Sequence, residues 1–162
     1  MGVEIKTVGI VGCGTMGAGI AEVCARNGYT VVFREIDEGR VADGMARIEH
    51  SLRRAVNKGK ATEDDLKEAL GRISGGTSFE HLKGADLVVE AVPEHLDLKQ
   101  ETFKALDAIL EPHAILATNT SSLPVIEMAV QTTRPSRVLG VHFFNPAPVM
   151  GLVELVRTVV TD

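Results

Sequence analysis

The sequence predicts a doubly wound α/β domain: a mostly parallel sheet with helices on both faces. Three observations carry this expectation. Short apolar runs alternate with longer stretches of helical period along the chain. The clearest run, Asp86-Leu-Val-Val-Glu-Ala-Val92, is apolar almost without alternation, as a strand buried on both faces requires. Near its start the chain passes from an apolar run, Thr7–Val11, through Gly12-Cys-Gly14-Thr-Met-Gly17 into a helical pattern.

The first helix is expected over Thr15–Asn27, with Ile20, Val23 and Cys24 on one face and Gly28 as the residue that ends it. Val31–Arg34 is a short second strand ending at Glu35. A helical excursion follows. Its long member, Asp37–Asn57, carries the apolar stripe Val41, Met45, Ile48, Leu52 and Val56, with Asp37 as its cap. Thr62, with Asp65 three residues on, starts a shorter helix to about Leu70. Arg72–Ser74 is a weaker strand, then comes a helical turn near Phe79–Lys83 and the strong strand 86–92. His95–Leu110 reads as a helix with Leu98, Phe103, Leu106 and Leu110 inward, closed by Pro112. Ala114–Ala117 is a fifth strand, and Thr118–Ser122 is a polar tip after it. A helix opens at Pro124, where Ser122 is the candidate cap. Val138–Val141 is a sixth strand that delivers His142 to its carboxyl end, and Leu152–Val156 is an alternating strand.

All 162 residues are expected to form one domain, 1–162. The net charge of −5 argues against nonspecific nucleic-acid binding. No run approaches the length of a membrane span. Met1–Lys6 lacks the basic-then-apolar build of a secretory leader, and Lys6 stands where acylation at Gly2 would want Ser or Thr. Cys13 and Cys24 have no metal-ligand spacing, so no metal is expected. Both read as reduced packing residues of a cytoplasmic protein.

Chemistry concentrates on one rim. Gly12, Gly14 and Gly17, with Thr15 and Met16 between them, have the spacing of a dinucleotide-binding turn. The first glycine turns the chain, the second admits a pyrophosphate, and the third packs helix on sheet. The helix start then offers unpaired N–H groups and a positive dipole end to the phosphates. Glu35, about 20 residues on, is placed to accept from the adenosine ribose and to repel a 2′-phosphate, which favours NAD over NADP. Arg34 beside it pulls the other way. Four of the five histidines lie in or beside helices, whereas His142 follows an apolar strand at the ligand-binding edge. A neutral imidazole there can take a proton from a hydroxyl as hydride leaves the same carbon. Glu154 can return beside it on a neighbouring strand and fix its tautomer. Arg40, Arg47, Ser51, Arg54 and Lys58 make a basic helix face, ordinarily a solvated one and here also a candidate seat for a phosphorylated ligand.

Gly12-x-Gly14-x-x-Gly17-x-Gly19-Ile-Ala, Asp86-Leu-Val-Val-Glu-Ala, Thr118-Asn-Thr-Ser-Ser-Leu and His142-Phe-Phe-Asn-Pro together resemble the nucleotide-binding half of the L-3-hydroxyacyl-CoA dehydrogenases. The resemblance runs over essentially the whole chain. It implies a Rossmann domain that binds NAD and oxidises (S)-3-hydroxyacyl-CoA in fatty-acid or butanoate metabolism. By position it implies His142 as catalytic base, Glu154 as its carboxylate partner, and Ser121 between substrate and nicotinamide. Asn145 falls near the reacting carbonyl, Glu94 and Lys99 at the cofactor, and Ser51 and Lys58 at coenzyme A, which makes the basic face that also carries Arg54 a ligand seat. Glu35 stands where the family more often has Asp. Family members continue into a helical domain that closes the acyl site and makes a homodimer, and that portion is not expected within these 162 residues. The chain alone is therefore expected to bind NAD and to turn over poorly. A dehydrogenase of a free hydroxy acid and a catalytically silent nucleotide-binding module are the competing expectations.

Overall fold

The computed structural model describes residues 4–162, so Gly2 lies outside them. In chain order the elements are β1 (Thr7–Val11), α1 (Thr15–Arg26), β2 (Thr30–Arg34), α2 (Glu38–Asn57), α3 (Glu63–Gly71), β3 (Ile73–Gly76), β4 (Leu87–Glu90), α4 (Leu96–Ile109), β5 (Ile115–Thr118), α5 (Val125–Ala129), β6 (Val138–Phe143) and β7 (Val153–Arg157). Single 3-10 turns lie at Phe79–Leu82 and Pro135–Arg137. One sheet runs in the order β3-β2-β1-β4-β5-β6-β7. Its first six strands pair parallel, and β7 pairs antiparallel with β6. The chain winds outward from β1 to β3 and then crosses to β4 on the other side of β1. That reversal opens a crevice beyond the carboxyl ends of β1 and β4, where ligands bind in such sheets.

Alternation along the strands divides the core between the two faces. Val8 and Ile10 of β1 join Ile20, Phe33, Ile48 and Leu52 under α1 and α2. Val11 points the other way, into a layer with Val88, Phe103, Leu106, Leu116 and Met128. Full burial of each such Leu, Ile or Phe contributes about 1.5–3 kcal/mol. The starts of α2 and α3 are as the sequence suggests. Asp37 accepts from the Arg40 N–H at 2.8 Å, and Thr62 and Asp65 form a reciprocal capping box. Gly28 follows α1 at φ +91°, a left-handed turn that glycine enters without strain.

Four expectations need correction. Leu98 is exposed, because the inward stripe of α4 is Lys99, Thr102, Phe103 and Leu106. A charged side chain occupies the turn where a leucine was expected. Ser122 does not cap α5; Pro124 stands at the cap position with no side-chain bond. β6 runs on to Phe143, so His142 lies inside a strand and not after one. β7 starts one residue later than its alternation suggests, and all five of its side chains are exposed.

Candidate active site

The glycine turn between β1 and α1 fits a ligand that arrives close to backbone. Gly12 has φ +88°, and a Cβ there would lie 2.9 Å from the Ala91 carbonyl oxygen. A Cβ on Gly17 would fall 1.8 Å from the Gly12 oxygen, so only glycine lets α1 approach the turn this closely. Gly14 differs: a Cβ there would meet nothing within 4 Å and would stand in the space the turn leaves open. No side chain caps the start of α1, which leaves its first N–H groups and positive dipole end facing that space. Glu35 braces the turn, accepting from the Cys13 N–H at 2.7 Å with one oxygen and from the Ile36 N–H at 3.2 Å with the other. Arg34 is held elsewhere. Its Nε donates to the Thr77 carbonyl at 2.9 Å, and its guanidinium lies 4.4 Å over the Phe79 ring. The carboxylate that suits an unphosphorylated ribose is at the turn, and the neighbouring cation is tied away from it.

Beside the turn, the tips of β4 and β5 are joined by a buried polar network. Glu90, fully buried at the end of β4, accepts from Lys99 Nζ at 2.7 Å, the Thr118 hydroxyl at 2.8 Å and the Val92 N–H at 2.7 Å. Lys99 also reaches a Glu94 oxygen at 3.3 Å and the Val92 carbonyl at 3.3 Å, so its three donors all have acceptors. Removing either buried partner would strand a charge at a cost of about 3–5 kcal/mol. Burial raises the Glu94 carboxyl, but the Thr120 hydroxyl bond and the Lys99 charge outweigh it and hold the group below the usual carboxylate range. Asn119 ties this edge to the next strand, its Oδ1 accepting from the Phe143 N–H at 2.8 Å.

His142 faces a cleft of about 340 Å³ bounded by Met16, Glu94, Ser121 and Asn145. Its position follows from register, since His142 of β6 pairs directly with Glu154 of β7. Directly opposed side chains in an antiparallel pair share a face and meet. His142 Nδ1 lies 3.0 Å from Glu154 Oε2, and the Phe144 ring sits 4.7 Å from the imidazole. The carboxylate accepts, so Nδ1 carries the hydrogen in the neutral ring, and Nε2 keeps a lone pair.

On the far side of the Asn145–Pro148 turn, two further cavities of about 210 and 200 Å³ follow the basic face of α2. Arg47, Ser51 and Arg54 line the first. Lys58 joins Ser51 and Arg54 in the second. Arg40, at the start of the same face, pairs with Asp37 and lines neither cavity.

Residues 7–162 match the family model for the NAD-binding domain of 3-hydroxyacyl-CoA dehydrogenase. The chain belongs to this family. It is 50% identical over 159 residues to a 3-hydroxybutyryl-CoA dehydrogenase of Mycobacterium tuberculosis, covering 98% of this chain and 56% of that one. It is 44% identical to the mitochondrial hydroxyacyl-coenzyme A dehydrogenase of Sus scrofa, covering 98% and 52%. A solved (S)-3-hydroxybutyryl-CoA dehydrogenase from Ralstonia eutropha superposes with a TM-score of 0.95 at 48% identity, covering 98% of this chain and 56% of that chain. The chain thus spans about half the length of the curated relatives it matches, and the matching half is their NAD-binding, Rossmann-type portion.

This dehydrogenase domain gathers Gly12, Gly14, Gly17, Thr15, Met16 and Glu35 at the turn, and Met16, Glu94, Lys99, Ser121, His142 and Asn145 around the neighbouring cleft. Ser51, Arg54 and Lys58 form a separate patch that meets the cleft at Asn145. Sequence reasoning singled out the polar tip Thr118–Ser122 as a place where something binds, without roles for Thr118 and Asn119, and missed Glu90 as part of the site. One signal for Glu90 was present: a carboxylate inside a strand otherwise apolar on both faces must have a buried partner. Both cysteines are unpaired, and burial pushes the Cys13 thiol up to about 12 and the Cys24 thiol to about 11, which keeps them inert. Among the described residues, no His, Cys, Asp and Glu cluster could hold a metal ion, and no helix is long and apolar enough to cross a membrane.

Proposed function

We propose that this chain carries the proton-transfer and cofactor-holding half of an enzyme that interconverts (S)-3-hydroxyacyl-CoA and 3-oxoacyl-CoA, in fatty-acid or butanoate metabolism. One observation supports the reading above all others: an imidazole with a carboxylate on Nδ1 shares a cleft with the residues flanking an uncapped glycine turn. NAD, when bound, supplies the hydride acceptor. Gly12–Gly17 and the start of α1 would hold its diphosphate, and Glu35 its adenosine ribose. His142 Nε2 takes the proton of the 3-hydroxyl as the C3–H bond breaks, and returns it in the reverse direction. Glu154 keeps that nitrogen unprotonated by holding the hydrogen on Nδ1, and stabilises the imidazolium that forms. Ser121 and Asn145, which both line the cleft, would orient the substrate carbonyl and the nicotinamide. Lys99 acts indirectly, since its donors are spent on Glu90, Glu94 and Val92. Ser51, Arg54 and Lys58 would receive the phosphates of coenzyme A. Two unpaired cysteines fit a reducing compartment, and the proposal places the enzyme in the cytoplasm.

The test is steady-state reduction of acetoacetyl-CoA by NADH in the natural enzyme that carries this chain. Arg54→Ala with Lys58→Ala should raise KM for acetoacetyl-CoA by about ten- to hundredfold, the effect of losing two charge-assisted contacts. The same pair should leave KM for NADH within about twofold. An unchanged KM for the acyl-CoA would point to a free hydroxy acid as substrate. His142→Gln with undiminished turnover would leave only a nucleotide-binding module.

A further inference from the structure

Arg34 stands at the cofactor turn, yet its side chain takes no part in it. Its backbone is fixed there: β2 pairs Arg34 with Val11 of β1, and its carbonyl accepts from the Gly12 N–H at 3.0 Å. An arginine is the wrong neighbour for an unphosphorylated ribose, since a guanidinium fork suits a phosphate. Nor do Arg34 and Glu35 pair with each other. The two oxygens of Glu35 accept from backbone N–H groups, and Nε of Arg34 donates to the Thr77 carbonyl. The Nη groups of Arg34, the ends that grip a phosphate, make no hydrogen bond among the described residues.

What holds the guanidinium is the segment after β3. β3 lies beside β2, and the Glu35 N–H donates to the Gly76 carbonyl at 3.0 Å, which ties the ends of the two strands together. Beyond Gly76 the chain enters the 3-10 turn Phe79–Leu82, capped by Ser78 and anchored by the fully buried Leu82. The turn sets the Phe79 ring 4.4 Å from the guanidinium carbon while Thr77 accepts from Nε, so a face and an edge of the cation are both taken. The ring is itself seated: Phe79 packs with Val32 against the core on that side of the sheet. A cation held on such a surface is withheld from the ribose. Specificity of this kind comes from denying a competitor its partner as much as from contacts to the favoured ligand. We propose that Phe79 and the Thr77 carbonyl are specificity-determining groups that clamp Arg34 away from a 2′-phosphate, and so leave the Glu35 carboxylate to select NAD unopposed. The inference rests on the reading of Glu35 as the ribose acceptor given above.

The experiment is calorimetric titration of the natural enzyme that carries this chain with NAD and, separately, with NADP. Glu35→Gln keeps an acceptor for the Cys13 N–H and removes the charge. It provides the background, and should itself tighten NADP by at least about fivefold. In that background Phe79→Leu keeps an apolar side chain on the core and removes the ring face. It should tighten NADP by at least about a further threefold and leave NAD within about twofold. Adding Arg34→Met should abolish that gain. No gain from Phe79→Leu overturns the proposal, as does a gain that survives Arg34→Met, or one that NAD shares equally. Should the Phe79 variant not fold, Arg34→Met in the Glu35→Gln background decides alone. A clamped cation leaves both dinucleotides within about threefold. A larger loss for NADP puts the guanidinium on the phosphate already, a larger loss for NAD puts it on the adenosine, and either overturns the clamp. A Glu35→Gln enzyme no tighter for NADP than the wild type refutes instead the placement of the ribose at Glu35.

Discussion

Replacing Glu154 by Gln isolates what the carboxylate does for His142. The substitution keeps an oxygen within reach of Nδ1 and removes the charge that opposes the imidazolium. At the observed 3.0 Å contact the Coulomb term is about 332/(εr) kcal/mol. Glu154 is 53% exposed, so a high effective dielectric applies. With ε between about 40 and 80 the interaction is about 1.5–3 kcal/mol, which appears only when the ring is protonated, and hence mainly in the transition state. The expected result is a kcat about ten- to hundredfold lower, with the KM for NADH and the thermal midpoint little changed. Initial rates of acetoacetyl-CoA reduction in the natural enzyme measure it. A loss smaller than about threefold would refute the electrostatic argument. So would an equal loss in cofactor affinity, which would make Glu154 a structural residue of the β6–β7 pair.

Other consequences follow from the same geometry. Gly14→Ala and Gly17→Ala should separate binding from folding. The first places a methyl in open space and should cost less than about 0.5 kcal/mol of stability while weakening NAD at least about tenfold; the second drives a methyl into the Gly12 carbonyl and should destabilise the domain by more than about 3 kcal/mol. Urea denaturation and NAD titration of both variants check this. Asp107 accepts from the Thr133 N–H and from Arg134 Nε, both at 2.7 Å, and though burial raises its carboxyl, these bonds and the Arg134 charge win and hold it below the usual range. Its stabilising contribution is therefore complete above the unfolded pKa of about 4 and is lost as pH falls through the lower folded value. Asp107→Asn should cost about 1–3 kcal/mol at neutral pH, and melting curves of variant and wild type should converge below about pH 4. Convergence on the alkaline side would contradict the sign.

Much of the site was legible because its signals are local. The glycine turn needs three residues lacking Cβ at fixed spacing, and the parallel strands must be apolar on both faces; both facts survive in one dimension. The His142–Glu154 pair was legible too, since a strand that turns back on its neighbour brings residues twelve apart into register. The Glu90–Lys99 pair was not. A helical pattern offers Leu98 as readily as Lys99 for the inward face, and only the buried carboxylate on β4 decides between them. Ser122 looked like a cap because hydroxyls before a helix usually are. Here Thr120 takes the local N–H groups instead, accepting from Ser122 and Leu123 while it donates to Glu94.

The most direct measurement is a titration of NAD into the isotopically labelled chain, following backbone amides 12–17 together with the ring nitrogens of His142. Both sets should move with one dissociation constant, and the ring should keep its hydrogen on Nδ1 throughout. Loop amides that shift while the imidazole stays unmoved, or a ring that carries its hydrogen on Nε2, would contradict this.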